Sequence, residues 1–165
     1  MKTKSLTREE DKKKGQLISE LSERRKQIDG FETSEIKHKK AEDELRASEI
    51  RFKELFKYMS SGVAVLEAVE DGSDFIFKDF NHAAERINQI KKEEVLGRKV
   101  TEMFPGIKGF GLFEVFQRVW RIGKPELHPV SLYKDTRIVD WRETSVYKLP
   151  SGEIVSVHDD LTEKK

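Results

Sequence analysis

The first 47 residues cannot supply a core, so any globular fold must be built from the residues beyond Ala47. From Met1 to about Ala47 the chain is mostly Lys, Glu, Arg, Asp and Ser, contains no Pro, and spaces its few apolar residues widely. Leu17, Phe31, Leu45 and Phe52 fall on multiples of seven, with Leu21 and Ile28 at the complementary positions. That is the spacing of a seam between two paired helices. The seam is imperfect: Arg24, Glu35, His38 and Glu42 occupy core positions, and Gly30 weakens the middle of the helix by about 1 kcal/mol relative to Ala. The expectation for residues 1–47 is a marginal coiled coil, or a helix that orders only when partnered. The alternative is a solvated, partly disordered charged tail.

From Glu49 the pattern changes. Ile50, Phe52, Leu55, Phe56 and Met59 predict a firmly amphipathic helix, ended by Ser60-Ser61-Gly62. Val63–Val69 and Phe75–Phe80 read as two short strands split by the turn residues Asp71-Gly72-Ser73. Asn81 is placed to cap a helix running through Ala83, Ala84, Ile87 and Ile90. A short helix over Lys92–Leu96 stops at Gly97, and Phe104-Pro105-Gly106 breaks the chain. Leu112, Val115, Phe116, Val119 and Trp120 recur at helical spacing up to Gly123 and Pro125. Leu127–Tyr133, Ile138–Leu149 and Glu153–Asp159 are then three strands, the last two joined across Pro150-Ser151-Gly152. On the long middle strand Trp141, Glu143, Ser145 and Tyr147 share one face, and Arg142, Thr144 and Val146 the other. Hairpins at both ends with helices between them define an α+β, mainly antiparallel fold.

Composition removes several chemistries. The chain has no cysteine, which excludes disulfides, thiolate metal sites and cysteine nucleophiles together. Its 32 Lys and Arg nearly balance 31 Asp and Glu, so no net field draws it to nucleic acid or anionic lipid. The basic runs Lys12-Lys13-Lys14 and Lys37–Lys40 are interleaved with acids and lack alternating aromatics, so they read as a solvated helix face and not as a nucleic-acid platform. No apolar run approaches the roughly 20 residues that span a membrane, and the Lys-rich start lacks the apolar stretch of a signal peptide. A cytosolic location is expected. No Gly-x-Ser-x-Gly, Walker loop or His-Glu-x-x-His is present, and the adjacent acids Glu93-Glu94 and Asp159-Asp160 do not face a common point. The chain is not expected to be an enzyme, nor to hold a metal.

Several short segments in order resemble a known family. Glu44-Leu-Arg-Ala-Ser-Glu-Ile-Arg-Phe52 with Leu55-Phe56 resembles the lead-in helix of bacterial PAS (Per-Arnt-Sim) sensor domains, and Gly62-Val-Ala-Val-Leu66 their first strand. Asp79-Phe-Asn81, Ala83-Ala84-Glu85-Arg86 and Glu93-Glu-Val-Leu-Gly-Arg98 resemble the helical middle of the family, and Leu149-Pro-Ser-Gly-Glu153 its final hairpin. Asp160-Leu161-Thr162 is similar to the Asp-Ile-Thr signature at the exit, with Leu for Ile. The resemblance runs from about Glu44 to Leu161. It implies a five-stranded antiparallel sheet with short helices over one face, preceded by the long charged helix and enclosing a small pocket. Residues 48–161 would be the PAS domain and 162–165 the start of a linker helix, for which Asp160 and Thr162 serve as caps and as the signal relay.

In this family the pocket binds a small molecule or the domain only mediates dimerisation. The expectation for this chain is a module that senses a small ligand or partner and relays the change through its flanking helices to an output domain, most often a two-component sensor histidine kinase. The chain then reads as a regulatory piece of a longer protein with its output domain in cis, homodimeric through the helix and the PAS core; a complete small protein is the alternative. The resemblance places Phe104, Phe116, Trp120 and Trp141 around an apolar pocket, with Glu143, Ser145 and Tyr147 as polar anchors, an assignment that a one-residue slip of register reverses. A fully packed core acting as a ligand-free dimerisation scaffold is the rival expectation. Cofactor identity stays open between none and a small organic ligand. The absence of cysteine excludes the family's cysteine-adduct flavin and its cysteine-bound chromophore. A haem or non-covalent flavin sensor is the third reading. His82, His128 or His158 would ligate haem iron, and Trp120 and Trp141 would stack on a flavin; a surface or hydrogen-bonded His and simple core aromatics are the plainer roles for these residues.

Overall fold

A computed structural model describes residues 2–164, with side chains from Ser5 to Glu163. The chain divides into two compact units, Met1–Arg51 and Phe52–Lys165. A single helix, α1 (Lys2–Tyr58), begins in the first unit and ends in the second. The sequence contains no proline in this stretch and repeatedly sets an acid four residues before a base, as in Glu9/Lys13, Glu20/Arg24, Glu35/Lys39 and Glu42/Arg46, each pair adding about 0.2–0.5 kcal/mol to a helix. Between the charged stretch and the amphipathic stretch from Glu49 there is no Pro or Gly, and the helix runs on through both, past Ser48. Every described side chain of the first unit is exposed, so the seam residues Leu17, Leu21, Ile28, Phe31 and Leu45 lie open to solvent.

The second unit is an antiparallel five-stranded sheet with helices on one face. Its elements are β1 (Gly62–Val69), β2 (Asp74–Phe80), α2 (His82–Asn88), α3 (Lys92–Val95), α4 (Val100–Met103), α5 (Ile107–Phe110), α6 (Leu112–Ile122), β3 (Glu126–Lys134), β4 (Val139–Lys148) and β5 (Ile154–Asp160). The strand order is β2-β1-β5-β4-β3, so the last strand enters the middle of the sheet between the first hairpin and the β3–β4 pair. The α+β class, the five strands and the long preceding helix are as the sequence indicates.

Both edges of the sheet are blunted, which limits pairing with other chains. Along β2, the Phe77 carbonyl accepts from Gly97 N–H and Phe77 N–H donates to the Arg98 carbonyl, at 2.9 and 3.1 Å. Gly97 reaches this position at φ 74°, where a side chain is strained. Along β3, Pro129 removes a donor and coincides with a break in register between His128 and Ser131. The core lies between the inner sheet face and the helices. Leu66, Phe75, Val95, Val119 and Ile154 are essentially inaccessible, and Phe75 meets Phe113 and Phe116 edge-on at 6.0 and 5.8 Å.

Asn81 joins sheet to helix. Its Oδ1 accepts from Ala84 N–H, capping α2, and from Val63 N–H, while its Nδ2 donates to the Ser61 carbonyl. The expected cap is thus also a brace for the start of β1.

Candidate ligand cavity and exit turn

Strand alternation decides which residues face the helices. On β4 the inward set is Asp140, Arg142, Thr144 and Val146, all buried, and on β5 it is Ile154, Ser156 and His158. The pairings Gly62 with His158, His158 with Thr144, and Thr144 with His128 form one row across four strands. Gly62 is needed there, because a Cβ at that position would lie 2.3 Å from the His158 ring.

A buried polar chain runs over this row. Arg142 donates from Nε to Asp140 Oδ1 at 2.8 Å and from Nη2 to Oδ2, a two-pronged pair with both side chains almost fully buried. Its Nη1 donates to Asn88 Oδ1 at 3.0 Å, and its guanidinium lies 4.5 Å from the centre of the Tyr133 ring. Asn88 Nδ2 donates to the Ala84 carbonyl and faces His158 Nε2 at 3.0 Å. An amide N–H can only donate, so Nε2 accepts and the imidazole is neutral with its proton on Nδ1. Burial, reinforced by the Arg142 charge and only partly offset by Asp160, pushes His158 down to about 3. Tyr133 is pushed up, first by burial and then by its hydrogen bond to Asp135.

This polar wall closes a cavity of about 40 Å³ between the sheet and the helices. Ala64, Leu66, Phe77, Phe80, Phe104 and Phe116 belong to its apolar lining, and Asn88, Arg142, Thr144, Ser156 and His158 to its polar lining. Two buried side-chain atoms among the described residues have no hydrogen-bond partner, Thr144 Oγ1 and His128 Nδ1, and they belong to paired residues of the same row. His128 Nε2 is engaged with the Phe110 carbonyl at 2.9 Å.

No family model matches the sequence, and no curated protein matches it. Among solved structures it is similar to a domain of a sensory box sensor histidine kinase/response regulator from Geobacter sulfurreducens, with a TM-score of 0.56 and 17% identity over 70% of this chain and 96% of that one. It is also similar to the PAS domain of a protein from Colwellia psychrerythraea, with a TM-score of 0.53 and 18% identity over 68% of this chain and 96% of that one. The fold is that of PAS domains. The LOV protein of Rhodobacter sphaeroides shares it at a TM-score of 0.56 and 7% identity, over 70% of this chain and 68% of that one. At these identities the likeness is one of fold.

Within the PAS fold the residues expected around the pocket separate. Phe104 and Phe116 line the cavity. Trp120 does not: its ring packs over Gly72, where a Cβ would meet it at 2.5 Å, and its carbonyl accepts from Lys148 Nζ at 2.8 Å. Trp141, Glu143, Ser145 and Tyr147 are also away from it, because the register of β4 turns them to the outer face. The inner polar residues of that strand are Arg142 and Thr144. Of the histidines considered for haem, His82 is exposed and contacts Glu85 at 3.0 Å; His128 and His158 are held as described. Among the described residues no group of three His, Asp or Glu side chains is arranged to hold a metal, and no helix is long and apolar enough to cross a membrane.

Asp160 and Thr162 close the end of β5. Asp160 Oδ1 accepts from both the N–H and the hydroxyl of Thr162. Trp141 N–H donates to Thr162 Oγ1 at 3.1 Å, and Leu161 N–H donates to the Trp141 carbonyl at 2.7 Å. Partial burial pushes the Asp160 carboxyl up, but the Thr162 hydrogen bonds, with the Arg142 charge behind them, hold it below the usual range. A short 3₁₀ turn follows at Thr162–Lys164.

Proposed function

We propose that this chain is a signal-input module. Its sensing site is the cavity behind Thr144, and its output leaves through the Asp160–Thr162 turn toward an output domain. The observation that carries this reading is Thr144, a residue of the cavity lining whose buried hydroxyl has no partner. A buried hydroxyl left unpaired costs about 1–3 kcal/mol, a cost that a scaffold has no reason to retain and a hydrogen-bonding occupant removes. The site selects by size and charge. A cavity of about 40 Å³ is room for roughly three waters at 10–15 Å³ each, against some 300–1,000 Å³ for ordinary ligand pockets. The Arg142 charge is already matched by Asp140. The occupant is therefore a neutral molecule of a few non-hydrogen atoms, with one polar end for Thr144 and a short apolar end for the Phe104 side.

The path outward is short. Arg142, on the cavity wall, is the cross-strand partner of Asp160, and Trp141 beside it holds Thr162 and Leu161. A shift of β4 by a few tenths of an ångström is felt directly at that turn.

Thermal unfolding with a panel of two- to four-carbon alcohols, ketones and amides tests the site. A binder present at a hundred times its Kd adds about 2.7 kcal/mol, and Thr144→Val should abolish that gain. If no compound raises Tm, or the gain is the same in Thr144→Val, the sensing site is not here. The small cavity favours one second reading, a ligand-free dimerisation scaffold; in that case Thr144→Val simply stabilises the domain and no compound has an effect.

A further inference from the structure

We infer that residues 24–49 of α1 pair with the same segment of a second copy of this chain, running antiparallel. The seam has two rows at seven-residue spacing. One row carries Arg24, Phe31, His38 and Leu45, and the other Ile28, Glu35, Glu42 and Glu49. All are exposed on the helix, with Ile28, Phe31 and Leu45 at 56%, 70% and 62%. The i,i+4 ion pairs support the helix by itself, and the exposed Ile28, Phe31 and Leu45 side chains gain further by being covered.

Charge decides the partner and its direction. In a parallel, in-register pair each seam residue meets its own copy, so Arg24 meets Arg24, and Glu35, Glu42 and Glu49 each meet a glutamate. Like charges brought together in a partly desolvated seam repel. In an antiparallel pair each residue of one row opposes a residue of the other row. Setting Glu35 opposite His38 of the second copy places Arg24 opposite Glu49, Ile28 opposite Leu45, and Phe31 opposite Glu42. Arg24 then finds a carboxylate, Glu35 finds an imidazole, and the aliphatic pair forms an apolar layer. Only Glu42 faces an apolar ring, with its carboxylate free to reach solvent. By symmetry each pairing occurs twice, over an overlap about 39 Å long. The residues that spoil a parallel seam are the ones that specify this register.

The full chain, which has no native cysteine, allows a direct test. Chains carrying Ile28→Cys and Leu45→Cys are oxidised alone and mixed. The antiparallel pair yields the mixed 28–45 crosslink in at least fivefold excess over either self-crosslink. Self-crosslinks at 28 or 45 in equal or greater amount, or no crosslink at all, overturn the proposal. Because a cysteine in the seam weakens it, dimerisation of charge variants is measured independently by sedimentation. Arg24→Glu should raise the dimer dissociation constant at least about tenfold, and adding Glu49→Arg to the same chain should restore it. A single variant that dimerises like the unsubstituted chain, or a double variant that fails to recover, refutes the register. The second unit is untouched by these changes, and its unfolding transition serves as the control for folding.

Discussion

Lowering the pH from 8 to 5 should cost the PAS unit about 2 kcal/mol through His158 alone. The imidazole is fully buried, accepts from Asn88 and sits near Arg142, so it is held down to about 3 in the native state, against 6.5 when unfolded. At pH 8 it is neutral in both states and contributes no pH dependence. As the pH falls through 6.5 the unfolded chain takes up a proton that the native state refuses. Stability therefore declines by about 1.4 kcal/mol per pH unit, down to about pH 3. At pH 5 the unfolded imidazole is some 1.5 units below its pKa, which gives the 2 kcal/mol. The Asp160 and Asp135 carboxyls, also held below their usual values, add their losses only below about pH 4. Urea unfolding at pH 8 and pH 5 measures the total. The same pair of measurements on His158→Asn removes the histidine and leaves every other titrating group in place. The variant should lose about 2 kcal/mol less than the parent between the two pH values. Equal losses would mean that His158 takes up its proton in the folded domain, and the neutral, Asn88-bonded imidazole would be wrong.

Three substitutions probe the framework by urea unfolding at neutral pH. Asp140→Asn strands the buried Arg142 charge and should cost about 3–5 kcal/mol; a loss under 1 kcal/mol would show that water reaches the guanidinium. Gly62→Ala puts a Cβ 2.3 Å from the His158 ring and should cost about 1–3 kcal/mol, most of it recovered when His158→Ala is added, whereas additive losses would place the strain elsewhere. Asn81→Ala leaves the buried Val63 and Ala84 amides unpaired and should cost about 2 kcal/mol; a near-neutral result would mean that the cap does not brace β1.

Most of the fold is legible because the strands, α2, α3 and α6 each carry a local signal, whereas α4 and α5, one turn each on either side of Phe104-Pro105-Gly106, carry none. Strands with period two, turns at Asp71-Gly72-Ser73 and Pro150-Ser151-Gly152, and the Asn81 cap are local features, and the structure keeps them within a residue or two. The cavity was less legible because its polar wall depends on which face of β4 turns inward. The resemblance puts the Trp141 face at the pocket without fixing the register, and a one-residue slip exchanges that face for the Arg142 face. The structure puts Arg142 and Thr144 there, because Asp140, two residues earlier on the same face, matches the Arg142 charge and Asn88 from α2 accepts a further guanidinium N–H. The acid–base pair Asp140/Arg142, followed by Thr144 and Val146 at the same spacing, was the available signal. Nothing local announces that Asn88 and His158 complete the network, since they come from distant parts of the chain. Trp120 was misplaced for a related reason: helical spacing gives its side of α6, but its landing place on Gly72 is a tertiary fact.

The most direct test of the sensing account is a backbone NMR titration of the chain with compounds of the neutral alcohol, ketone and amide panel. The account predicts that amide resonances of Thr144, Ser156 and His158 on the cavity wall, and of Leu161 and Thr162 at the exit turn, shift together with one Kd. Cavity resonances that move while the exit turn stays still would contradict the relay, and a titration in which no compound moves the cavity resonances would contradict the sensing site itself.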